Sequence, residues 1–163
     1  SLEDLQALVF WLFGSLLKSS WPKVTIASIV LFTVTPFIVR DAWRLTALRL
    51  GEEKAASLGV NVESLRLRTM FFISILTATA VCFVGTIGFI GLVAPHIARF
   101  FVGEDQRFLV PASALCGALL LSSASLGSKL VTPGAVYPVG IITAFIGVPF
   151  FASIIIGKRK NYW

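Results

Sequence analysis

Charge is what this sequence has least of. Lys, Arg, Asp and Glu make up 13% of its 163 residues, well below the roughly 25% of an ordinary soluble domain. Hydrophobic residues account for 56% and the mean hydropathy is +0.89. So few polar groups cannot cover a surface that faces water, and a bilayer is the solvent that suits the chain. Histidine occurs once, at His96, so a histidine-built metal centre lacks a second ligand nearby in sequence. The two cysteines, Cys82 and Cys116, lie in apolar runs at a spacing that fits no metal motif; they read as small membrane-embedded hydrophobes. No G-x-x-x-x-G-K-[ST] phosphate loop occurs, since "GSK" and "GKR" lack the first glycine and the spacing. No basic stretch with a cleavage site opens the chain, which argues against a signal peptide. A start at Ser1, close to an apolar run, suggests a missing upstream portion.

The charge that is present is unevenly placed. The net charge is +6, yet the basic residues form no single stripe for nucleic acid. They cluster between oily segments, as topology signals do. Uncharged runs fall at 5–17, 24–39, 69–98, 108–128 and 130–157, and a helical crossing needs about 20 apolar residues. The first run is short for a span and reads as a core or interfacial helix. The second becomes a span with Trp21 and Trp43 as interfacial anchors. The fourth spans, as does the fifth once "TPGAVYP" is set aside as a loop.

The run 69–98 is longer than one crossing and shorter than two. Arg40, Arg44, Arg49, Lys54, Arg66 and Arg68 precede it, and Arg99 and Arg107 follow it. If both flanks face the cytoplasm, the chain must cross and return. We read 69–84 as a full span, "GTIGFIG" as a turn, and "LVAPHIARFF", with Pro95, as a short tilted or broken descending helix. Irregular backbone at membrane depth survives only against protein or a water-filled cavity. Gly85, Gly88 and Gly91 permit a tight turn and close helix approach, and a half-helix beside a pathway is a recurring transporter device. A turn packed inside a bundle with no cavity fits the same residues. This topology leaves only Lys18, Lys23 and Lys129 outside, and returns the basic "KRKNYW" to the inside. His96 reads as a hydrogen-bonded packing histidine, and Arg99 as snorkelling or paired with Glu104 or Asp105.

The long polar stretch "DAWRLTALRLGEEKAASLGVNVESLRLR" holds two helix-forming pieces, "LTALRL" and "EEKAASLGV", separated by Gly51 and closed by Gly59. Glu52 and Glu53 suit the N-terminal end of the second. Leu45, Leu48, Ala55 and Leu58 supply apolar docking positions. A solvated connecting loop is the other reading.

"ALRLGEEKAASLGVNVESLRLR", "GTIGFIGLVAPHIARFFVGEDQRFLVPASALCGALLL" and "YPVGIITAFIGVPFF" resemble the C-terminal half of a FecCD-type permease. These are membrane subunits of bacterial ABC importers for iron-siderophores, haem, vitamin B12 and some oxyanions. The resemblance covers nearly the whole chain, including "FWLFGSL", where Phe10, Trp11 and Phe13 would lie near the outer mouth of a pathway. It implies an all-α, polytopic transmembrane bundle with a short broken or re-entrant helix and two cytoplasmic coupling helices. Residues 1–43 would form an outer-mouth segment and one span, 44–68 the coupling helices, 69–157 the C-terminal spans and 158–163 a basic cytoplasmic tail.

The resemblance also implies a non-enzymatic translocation subunit of the cytoplasmic membrane of a bacterium or archaeon, working with ABC ATPase subunits, an extracytoplasmic substrate-binding protein and a second permease copy. ATP-Mg would sit on the ATPase and no cofactor or metal on this chain. Leu48, Gly51, Glu52, Glu53, Ala55, Leu58, Gly59 and Val60 would couple to the ATPase. Lys129 would stand where family members have an arginine near the binding-protein dock. Here the sequence departs from the pattern: "SASLGSK" replaces "AD..AR", "TPGAVYP" replaces an acidic motif, and lysine lacks arginine's two-pronged fork. A lysine snorkelling to water is the alternative. Two other functions compete: a structural membrane subunit without a pathway, and an intramembrane hydrolase using Ser113 or Ser123. The hydrolase would need a base on an adjoining helix, and His96 stands alone.

Overall fold

A computed structural model describes residues 2–16, 19–131 and 138–159, and among these described residues the chain forms seven helices. They are α1 (Leu2–Leu12), α2 (Trp21–Leu48), α3 (Glu52–Ser57), α4 (Val62–Val84), α5 (Ile90–Val102), α6 (Gln106–Val131) and α7 (Val139–Arg159). The expectations for Lys18, for the loop at 132–137 and for the tail from Lys160 onward lie outside the described residues. Four helices, α2, α4, α6 and α7, are long and apolar enough to cross a membrane. At 1.5 Å per residue, α4 reaches about 34 Å and α5 about 20 Å. Against a hydrocarbon core about 30 Å thick, α5 stops short. The expected short helix is therefore present, unbroken at Pro95 and entered through the non-helical segment 85–89.

Local chemistry sets the boundaries. Pro22 occupies the first turn of α2, where its missing N–H is no loss. Farther along, Pro36 interrupts the α2 ladder. Just before it, the Thr33 and Thr35 hydroxyls donate back to the Ile29 and Leu31 carbonyls, each at 2.7 Å, keeping polar atoms satisfied within the helix. The Asn61 side chain caps α4 by accepting from the Ser64 amide at 3.0 Å. Gly85 ends α4 at φ +79° and Gly103 ends α5 at φ +76°, a conformation that glycine reaches without a Cβ clash.

The interior is narrow and built from small side chains. Ala42, Ala47, Ala94, Ala98 and Ala124 are among its buried residues, which lets helices approach closely where lipid offers no hydrophobic drive. α5 packs on α6 and α7, and α2 packs on α4 and α6. Large apolar side chains such as Phe100, Phe101 and Phe145 point outward, the arrangement suited to a lipid solvent.

One expectation needs correction. The polar stretch holds one short helix rather than two. "LTAL" is the last turn of α2, and "ESLRLR" is the beginning of α4. Nothing in residues 40–48 breaks a helix, so the transmembrane helix runs on until the chain reaches Gly51 at φ +109°. The boundaries at 44 and 68 accordingly fall inside α2 and α4.

Candidate functional site

At the basic end of the bundle, α3 is seated on α2 and α4 by a small apolar cluster. Ala47 from α2, Ala55 from α3, Val60 from the following turn and Leu65 from α4 are buried together, with Leu45, Leu48 and Val62 packed around them. Gly51 (φ +109°) and Gly59 (φ +81°) make the two bends that bracket α3. Both have open space where a side chain would stand, so backbone conformation rather than crowding selects glycine there. The Arg66 guanidinium donates to the Glu52 carboxylate and tethers α3 to α4.

These contacts sort the expected coupling residues. Ala55 and Val60 face inward, Leu48 is half-buried, and Glu52 is engaged by Arg66. Glu53 and Leu58 face outward. So does Leu50, 62% exposed, which the sequence reading passed over. Its signal was available: a leucine beside a turn glycine at the tip of a polar segment.

Two polar junctions surround this seat. In the first, Asp41 is buried, and its carboxylate meets Arg44 Nη1 at 2.8 Å and Arg68 Nε at 3.1 Å. The latter bond joins α2 to α4. Asp41 was not singled out from the sequence, although an acid in the last third of an apolar helix with arginines at −1 and +3 is an unusual pattern. In the second junction, the last turn of α2 grips the turn between α5 and α6. The Thr46 hydroxyl lies 3.0 Å from Asp105 Oδ1 and accepts from the Gln106 amide at 2.9 Å. Arg49 donates to the Glu104 carbonyl at 3.0 Å and pairs with its carboxylate at 2.8 Å.

Arg99 approaches the same carboxylate at 3.8 Å, one of its two expected partners; Asp105 is instead taken by Arg107 at 2.7 Å. Hydrogen bonds from the Arg107 side chain and backbone hold the Asp105 carboxyl down to about 2. The Arg49 hydrogen bond and charge lower Glu104, with a smaller contribution from Arg99.

At the other end, the non-helical segment 85–89 is held by the turn after α1. The Ser15 amide donates to the Val84 carbonyl at 2.9 Å, and the Thr86 hydroxyl donates to the Leu12 carbonyl. A Cβ at Gly85 would collide with the Trp11 carbonyl, and one at Gly140 with the Phe13 carbonyl. One at Gly14 would lie 2.7 Å from Thr86 O. The glycine expectation is thereby redistributed. Gly85 is a position of close approach, whereas Gly88 and Gly91 have open space; the glycines that meet facing backbone are Gly14 and Gly140. Phe89 opens α5 at φ +68° and packs onto Gly147 of α7.

Pro95 lies within α5 and does not end it. His96 meets the rings of Phe100 and Phe150 edge-on at 5.3 and 5.6 Å, so its packing is aromatic. A cavity of about 480 Å³, lined by Phe10, Trp11, Lys23, Cys82 and Phe83 among others, lies between α1, α2 and α4. Lys129 is exposed in the last turn of α6, where positive charge complements the helix dipole; the loop beyond it lies outside the described residues. Among the described residues, no three of His, Cys, Asp and Glu gather as metal ligands.

Residues 1–157 match the FecCD transport family. An ABC transporter permease protein of Methanocaldococcus jannaschii is 43% identical over 161 residues, covering 98% of this chain and 46% of its own length. The hemin transport system permease protein of Yersinia pestis is 40% identical over 160 residues, 98% of this chain and 48% of its own. A solved structure of a metal-chelate type ABC transporter, in an inward-facing conformation, superimposes with a TM-score of 0.88 at 33% identity, over 94% of this chain and 51% of that one. The chain thus spans about half the length of the relatives it matches. Its multi-pass architecture, its short re-entrant helix and the extent of these matches agree: the chain belongs to the FecCD transport family.

Proposed function

We propose that this chain forms the C-terminal half of a permease in a binding-protein-dependent ABC importer. The complete protein would move a bulky metal chelate, such as an iron chelate, haem or cobalamin, or a related oxyanion, across the cytoplasmic membrane. The chain performs no bond chemistry of its own. ATP-Mg is bound and hydrolysed by a separate ATPase, and a second permease copy completes the pathway. An extracytoplasmic binding protein delivers the cargo, and the exposed Lys129 would offer its docking face a positive charge.

The observation that carries this reading is the seat of α3. A six-residue helix is too short to be stable alone, yet its own Ala55 and the Leu65 of α4 are almost completely buried. The helix turns Leu50, Glu53 and Leu58 away from the bundle. A rigid stub with exposed leucines on a basic inner rim suits a groove in another protein, and an ATPase that closes on nucleotide would push it as a lever. The test is Leu58→Glu in the full-length permease. We expect membrane insertion at the unsubstituted level with at least a tenfold loss of co-purifying ATPase. ATPase association unchanged by Leu58→Glu and by Leu50→Glu would overturn the assignment.

A further inference from the structure

α3 packs on α2 and α4, whereas the re-entrant α5 packs on α6 and α7. α2 also packs on α6 and α4 runs on into the segment 85–89, so the stub and α5 are linked by several routes, of which one is a polar clasp between side chains. At the inner rim the last turn of α2 reaches the turn that joins α5 to α6. Arg49 holds Glu104 by both carbonyl and carboxylate, at 3.0 and 2.8 Å. Thr46 holds the adjacent residues, with its hydroxyl 3.0 Å from Asp105 Oδ1 and accepting from the Gln106 amide. On the far side Arg99, on α5 itself, stands 3.8 Å from the other Glu104 oxygen. Glu104 is thus a carboxylate with the arginine that caps α2 on one oxygen and an arginine of α5 on the other.

We propose that the Arg49–Glu104–Arg99 bridge is the positioning element that carries displacement of the coupling stub to α5, and through it to the segment 85–89. This rests on the function proposed above. The geometry favours transmission over mere stabilisation. Glu104 is 61% exposed and Arg49 34%, and pairs this open to water add little to folding stability. Two-point gripping of one residue, however, fixes direction as well as distance. Ala47 lies two residues before Arg49 on the same helix end and belongs to the α3 seat, so the stub and the bridge share one turn of α2. At its opposite end α5 begins at Phe89, in a left-handed conformation and packed on Gly147, so an axial push on α5 would be felt there.

The experiment uses the full-length permease with its co-purified ATPase in nanodiscs, and needs no transported ligand. After Cys82→Ser and Cys116→Ser, spin labels are attached at Ala56→Cys and Phe32→Cys to follow α3, or at Gly91→Cys and Phe32→Cys to follow α5. Distances are compared before and after trapping with ATP, magnesium and vanadate. With the bridge intact, both label pairs should change on trapping. In Arg49→Ala and in Glu104→Ala the α3 change should persist while the α5 change falls at least threefold. The double variant should be no worse than either single one, the mark of a shared interaction. Glu104→Gln, which keeps the side-chain volume, replaces Glu104→Ala if the latter does not accumulate. An α5 change that survives in both single variants, or single losses that multiply in the double, would overturn the bridge while leaving the importer reading in place. An unsubstituted permease that binds no ATPase would overturn both.

Discussion

Gly85 shows how one missing Cβ can decide a junction. Its φ of +79° and the Trp11 carbonyl facing it leave an alanine no room and an unfavourable backbone. We expect Gly85→Ala to destabilise the protein by about 1–3 kcal/mol, the usual range for overpacking, read as a lower midpoint of thermal unfolding in detergent. Gly91→Ala, at a position with open space in α5, should change the midpoint little.

Titration offers a second test at this scale. The Asp105 carboxyl, at about 2, lies below its ordinary 3.8. A depressed folded-state value contributes stability above the unfolded pKa and loses it as pH falls through the folded one. The turn between α5 and α6 should therefore keep its full contribution above about pH 4 and lose it progressively toward pH 2. Glu104, lowered by Arg49, acts in the same direction. Asp105→Asn should flatten the decline of the unfolding midpoint between about pH 4 and pH 2, and an unaltered decline would count against the assigned role.

Among the elements, α3 depends most on its neighbours. Six residues cannot sustain a helix, so its two glycine bends and the cluster beneath it hold it in place. Gly59→Val places a branched side chain at φ +81°, a cost of about 1–2 kcal/mol. That should loosen α3 and show as faster amide exchange over 52–60, with α4 and α6 unchanged. The sequence made this element legible because glutamates, alanines and flanking glycines state a short helix locally. It did not reveal that "LTAL" belongs to α2. Helix-forming residues look alike in a short helix and in the end of a long one, and only the conformation of Gly51 marks where the long one stops.

The same reasoning explains the glycines of the re-entrant segment. Gly85, Gly88 and Gly91 are equivalent in composition, and which of them needs to be small depends on what lies opposite. For Gly85 that is the Trp11 carbonyl, far away in sequence; for the others it is open space. Gly14 and Gly140 gave no sequence signal for the same reason, since their close neighbours come from other elements. The arginines, by contrast, bracket the run 69–98, and that spacing pointed to a short helix ahead of Arg99, which is α5.

Across the whole molecule, a core built largely on alanine implies a division of labour. Outward positions such as Leu115 and Leu119 need only be apolar, whereas Ala94 and Ala98 on α5 sit where helices nearly touch. Ala98→Leu should cost more than Leu119→Ala, about 1–3 kcal/mol against well under 1, compared by unfolding in the same detergent. In a water-soluble protein the large-to-small change in an apolar leucine would more often be the damaging one; a lipid solvent reverses the order.

The carboxylate of Asp41 bears on how the protein enters the membrane. α2 precedes α4 in the chain and carries an acid near its C-terminal end, so it reaches the membrane before Arg68 on α4 can be placed beside that acid. Until then Arg44, one turn along the same helix, is the neutralising neighbour at hand. Insertion of α2 is therefore self-sufficient in charge, and the arrival of α4 converts a local pair into the clasp between two crossings.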